Sequence, residues 1–159
     1  MHVECCGQTR AQDGRLQTQN QDAFSIGRTP VPWAAVCDGA GNAQSAAKRA
    51  LSLLESWFRD TSLAQLMRRE TWTRCSKTLD TGLLGGAEST LVAVAAIGDT
   101  VRGVVVGDSR VYLVPLDGPT RQLAPDAPKR RLGSGEAEPT YPEQAVQPRD
   151  TVVLLSDGV

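Results

Sequence analysis

Histidine is almost missing from this chain: His2 is the only one in 159 residues. A Ser-His-Asp or Cys-His hydrolase therefore has no base, and a histidine-liganded metallohydrolase has no ligands. Cysteine is scarce as well. Cys5, Cys6, Cys37 and Cys75 form no CxxC pair, so neither a zinc site nor a disulfide framework is expected. Cys37, inside an apolar run, reads as a small packing residue. Charge of one sign is not in excess: 17 Lys and Arg face 18 Asp and Glu, a net of −1. Neither nucleic acid nor an anionic membrane is expected as a partner. Long apolar runs are lacking too, since a stretch such as residues 91–97 is far too short to span a bilayer. The start, MHVECCGQTR, has neither the basic opening nor the apolar core of a secretory signal. A cytoplasmic location is expected. If the chain is a hydrolase, its chemistry runs on carboxylates and metal-bound water.

What is present is ordinary globular composition, 40% hydrophobic and 22% charged. The length suits one domain, residues 1–159. A first strand is expected over residues 2–9, a second over 23–26 and a third over 33–37. Ala43, Ala47, Ala50, Leu54 and Trp57 then recur at helical spacing. A second helix is expected from Ser62, where Ser62 and Gln65 have capping-box spacing, with Leu63, Leu66 and Met67 on its buried face. From Ser89 the period changes. Residues 91–97, 101–106 and 111–114 are β-branched and nearly continuously apolar, with hairpin turns at Gly98-Asp99 and Asp117-Gly118. Continuous runs imply strands covered on both faces, so helices packed on sheets that pack on each other are expected. Residues 125–148, rich in proline, glycine and charge, read as a long surface excursion. Its Lys129-Arg130-Arg131 cluster is expected to be solvated; the alternative is contact with a phosphopeptide. Residues 151–156 read as a final buried strand.

The aspartates organise the rest. WAAVCDGAG, residues 33–41, is a strand that delivers Asp38 at its carboxyl end, followed by a glycine-rich turn. Asp-Gly is a common turn dipeptide, and alone it would signal only a turn. The chain repeats the device: VRGVVVGDSR delivers Asp108 and TVVLLSDGV delivers Asp157, while Asp22 stands just ahead of the apolar residues 23–26. Four carboxylates at strand ends or approaches suggest convergence on a hard cation, Mg²⁺ or Mn²⁺.

NQDAF, AAVCDGAG, ESTLV, VVVGDSRVYLV and RDTVVLLSDGV stand in an order that resembles the metal-dependent serine/threonine protein phosphatases of the type 2C class. There they read roughly NED, DGxGG, GTT, GDSR and SDG. The resemblance runs from about Gly14 to Val159. It implies an α+β fold: a two-sheet antiparallel β-sandwich flanked by helices in four layers, α-β-β-α, with the metal site between the sheets. It also implies that Asp38 bridges two ions, Gly39 adds its carbonyl, Asp157 holds one ion from the opposite strand, Asp108 belongs to a weaker third ion, and Asp22 orients metal-bound water. The implied cofactor is Mg²⁺ or Mn²⁺. The implied substrate is a phosphorylated protein, with a cognate serine/threonine kinase as its counterpart in signalling.

This sequence departs from the family pattern in three places. Gln17 stands where the phosphate-binding arginine is usual, which leaves that residue unassigned, with Arg10 and Arg15 nearby. Gln21 replaces the glutamate of NED. The family continues past SDG to a last strand bearing Asp-Asn, so the chain is expected to be a C-terminally incomplete domain. These departures support the rival reading, a catalytically impaired module of the same fold that binds a phosphopeptide or regulatory partner. A third reading, a sandwich without metal, requires four independent turn aspartates.

Overall fold

The computed structural model describes residues 3–10, 20–40, 45–86, 88–126 and 128–157. Among the described residues, eight strands form two antiparallel sheets. In the first, β1 (Asp22–Gly27), β2 (Trp33–Asp38), β3 (Leu91–Ile97), β4 (Thr100–Val106) and β7 (Glu143–Ala145) lie in the order β1-β2-β3-β4-β7; in the second, β5 (Arg110–Val114) is flanked by β6 (Arg121–Gln122) and β8 (Thr151–Leu155). Helices α1 (Ser45–Asp60), α2 (Leu63–Leu66) and α3 (Arg69–Leu83) come between β2 and β3. Among the described residues no helix is long and apolar enough to cross a membrane.

The continuous apolar character of β3 has the expected cause. Leu91, Ala93, Ala95 and Ile97 face the helices, whereas Val92 and Val94 face the second sheet with Val101, Val105 and Val111. Side chains alternate across a strand, so a strand with a packed layer on each side must be apolar at every position. A two-residue turn with Gly98 at φ 63° closes β3 onto β4, pairing Ile97 with Thr100. On α1, Ala47, Ala50, Leu51, Leu54 and Phe58 are buried, and the stacked rings of Phe58 and Trp33 lie 4.4 Å apart. That stack requires Gly27, directly opposite Trp33, because a Cβ there would stand 2.2 Å from the indole.

Several expectations are corrected. Residues 3–9 carry no strand; the segment instead packs beside β1, with Gly7 against the Phe24 ring. The second helix begins at Ser62 with the expected capping box, but it is two helices. The buried Trp72 indole donates to the Leu66 carbonyl at 2.9 Å, occupying the acceptor that a continuous helix would use. Leu66 is buried, but Leu63 and Met67 are 46% and 55% exposed; the buried face passes to Trp72, Cys75, Leu79 and Leu83 on α3. Residues 125–148 are no free excursion. Leu132 is fully buried, Val105 and Thr140 exchange two backbone bonds of 2.9 Å, and β7 joins the edge of β4. Strand β8 is an edge strand, half-buried rather than buried. The fold class is as expected: two antiparallel sheets with helices make an α+β fold, and the described helices pack on the first sheet.

Candidate metal and phosphate site

Antiparallel pairing of β1 with β2 sets Asp22 opposite Asp38. Like charges directly across a strand pair repel, so the arrangement costs stability unless something compensates. The backbone of Asp38 is held on three sides. Its N–H donates to Thr90 Oγ1 at 3.0 Å, and its carbonyl accepts from the Thr90 N–H at 2.8 Å and from Ser89 Oγ at 3.1 Å. The Thr90 hydroxyl lies 2.6 Å from Ser109 Oγ, which ties β2 to the turn bearing Asp108. That turn depends on Gly107, at φ 83°, where a Cβ would be 3.0 Å from Thr90 Cγ2. From the second sheet, Ser156 Oγ donates to Asp22 Oδ2 at 3.2 Å, bringing the end of β8 and Asp157 to the same region.

The electrostatics follow this geometry. Asp38 is pushed up from 3.8 to about 6, first by burial, then by the charges of Asp22 and Asp157 and by a hydrogen bond shared with Asp22; Arg131 acts in the opposite direction. Asp108 has a different environment. Lys129 Nζ lies 3.0 Å from its Oδ2 and Arg131 Nη2 lies 3.9 Å from its Oδ1. Burial raises the Asp108 carboxyl, but Lys129, its own backbone and Arg131 outweigh that and hold it below the ordinary carboxylate value. The structure thus brings Asp22, Asp38 and Asp157 into mutual influence and ties Asp108 to two cations of the loop. Gly39 pairs with Ser89 beside Asp38, and the Gln21 carbonyl accepts the Gly39 N–H at 3.1 Å. Gln17 and Arg15 lie outside the described residues.

Among the described residues no group of three or more histidine, cysteine, aspartate or glutamate side chains is placed to hold a metal ion. The donor chemistry nevertheless suits one. The acidic groups are oxygen donors, and their repulsion, visible in the raised Asp38, is what a hard divalent cation relieves. A separate cleft of about 290 Å³, lined by residues including Arg69, Trp72, Arg102 and Tyr141, lies toward the other end of β4. Its cations are engaged: Arg102 pairs with Glu143, and Arg69 stacks on Tyr141 at 5.1 Å.

Reading the motifs as carriers of aspartates missed the hydroxyls that position them. Ser89, Thr90, Ser109 and Ser156 all sit within the same short motifs, and the serines directly beside Asp108 and Asp157 were the available signal. Arg131 was visible only as part of a charge run.

No family model matches the chain, and no curated protein matches it in sequence. Solved structures do resemble it. The serine/threonine phosphatase from Staphylococcus aureus has a TM-score of 0.77 at 22% identity, with 99% of this chain and 80% of that one covered. The S. agalactiae serine/threonine phosphatase also has a TM-score of 0.77 at 22% identity, with 91% and 76% covered. The catalytic domain of the serine/threonine protein phosphatase PstP, solved in complex with two manganese ions, has a TM-score of 0.68 at 24% identity, with 94% and 76% covered. A strand pair carrying opposed aspartates, a buried hydroxyl network behind it and a second sheet bringing another aspartate are set in a chain that has the fold of these serine/threonine phosphatases.

Proposed function

We propose that this chain is a divalent-metal-dependent protein phosphatase that hydrolyses phosphoserine and phosphothreonine. The observation that carries the reading is the Asp22–Asp38 pair, opposed in register and joined by the charge of Asp157 from the other sheet. Such a concentration of negative charge is unfavourable by itself, and a cation is what makes it useful. Asp38, the Gly39 carbonyl and Asp157 would hold two Mg²⁺ or Mn²⁺ ions, and Asp108 would serve a weaker third. The two manganese ions of the PstP catalytic domain support this assignment. When bound, such ions neutralise phosphate oxygens and lower the pKa of coordinated water. The chain's own residues supply positioning. Thr90 and Ser89 fix the Asp38 backbone and Ser156 orients the Asp22 carboxylate, which would in turn orient metal-bound water. The substrate is a phosphorylated protein, made by a serine/threonine kinase and returned to its hydroxyl form in cytoplasmic signalling.

A rival reading, a catalytically impaired module that binds a phosphopeptide or regulatory partner, draws support from Gln21, a neutral amide where the resembled family has a glutamate. One experiment separates the two. In the native protein, Mn²⁺ should bind and should promote phosphate release from a phosphothreonine peptide, and Asp38→Ala should abolish both while leaving the circular dichroism spectrum unchanged. Metal binding without any turnover would favour the module; no metal binding would remove the phosphatase reading.

A further inference from the structure

We propose that Arg131 is the residue that grips the substrate phosphate, an assignment that rests on the phosphatase reading. The three consecutive cations of the loop have three different environments. Arg130 turns outward to Glu136 and Glu138, at 3.5 and 3.0 Å. Lys129, 75% exposed, caps Asp108 from the solvent side at 3.0 Å. Arg131 is only 23% exposed and points inward, its Nη2 3.9 Å from the same carboxylate. Asp108 already has Lys129 as a closer partner, so the Arg131 charge is only partly balanced. Its Nε is shut off from solvent and has no hydrogen-bond partner. A buried donor without an acceptor is costly, and a phosphate oxygen would supply the acceptor.

The backbone around Arg131 is held in place. Leu132 exchanges two hydrogen bonds with Ser89, at 2.9 and 3.1 Å, and Ser89 is bridged on its other side to Gly39. Arg131 is therefore one residue from a ladder whose far rail is the Asp38-Gly39 turn. The Arg131 carbonyl accepts from Ser134 Oγ at 2.7 Å, and Asp80 on α3 accepts the N–H groups of Gly133 and Gly135 at 2.7 and 3.2 Å. Among the described residues, Arg131 is the cation felt by Asp38. A phosphate dianion approaching this many carboxylates needs a permanent positive charge alongside the metal ions, and a planar guanidinium fork matches its oxygens.

The test uses Arg131→Met, which keeps the aliphatic stem, with Arg131→Lys and Arg130→Met beside it. Binding of inorganic phosphate in the presence of Mn²⁺ is measured by calorimetry, Mn²⁺ binding is measured separately, and KM and kcat are determined with a phosphothreonine peptide. Arg131→Met should weaken phosphate by about tenfold to a hundredfold, raise KM and leave Mn²⁺ affinity undiminished. Arg131→Lys should recover part of the loss, and Arg130→Met should match wild type. Phosphate affinity unchanged in a folded, Mn²⁺-binding Arg131→Met protein would overturn the assignment while sparing the phosphatase reading. A wild-type protein that binds no Mn²⁺ and releases no phosphate would overturn that reading, and this assignment with it.

Discussion

At the scale of single residues, Asp38 shows how a site can work against the fold that carries it. Its carboxyl keeps a proton to about pH 6 in the folded protein, against an ordinary value of 3.8. Between those values the folded state binds more protons than the unfolded chain, so stability falls as pH rises through the window. The metal-free protein should therefore melt at a higher temperature at pH 5 than at pH 7. Asp38→Asn should flatten that difference and raise the melting temperature at pH 7. Saturating Mn²⁺ should reverse the ranking at pH 7, because only the native protein has the carboxylate to bind it. Scanning calorimetry at two pH values, with and without Mn²⁺, checks all of this; a slope unchanged in Asp38→Asn would show that another group governs it.

At the scale of elements, what could be read from the chain depended on whether a segment's pattern was set locally. The strands β2, β3 and β4 and helix α1 have their own periodicity and lie where it placed them. The carboxylates at the ends of β2 and β4 were legible for the same reason: an apolar run stopping at Asp-Gly, or at Gly-Asp-Ser, marks where a buried strand surfaces. The break between α2 and α3 was not legible, because it depends on an indole six residues away finding the Leu66 carbonyl. Nor were the fixed positions of Leu132 and Tyr141, isolated among proline, glycine and charge, whose partners lie on distant elements. The Arg131–Asp108 contact was hidden likewise, since nothing in a run of three cations says which one turns inward. Where the pattern is local, its energetic consequence can be stated. Leu54, fully buried on α1, should cost about 2–5 kcal/mol when cut to alanine. Denaturant melts measure this, and a silent substitution would contradict the packing of α1 against the first sheet.

At the scale of the whole molecule, two cores share the strand β3, one under the helices and one between the sheets. The hydroxyl bond from Ser156 to Asp22 joins residues 134 positions apart, whereas β3 meets β4 across a two-residue turn. Loop-closure entropy grows with the length of chain enclosed, by about 0.6 kcal/mol for each doubling, and contacts distant in sequence form slowly. In pulsed hydrogen exchange during refolding, β3 and β4 amides should gain protection before those of β8; the opposite order would contradict this. On this order Asp157 should be the last carboxylate to join the charge cluster. Asp22 and Asp38 already meet within the local β1–β2 pair, so the order of assembly should hold back only the repulsion from Asp157, sparing the half-folded chain part of the strain that the finished site must bear.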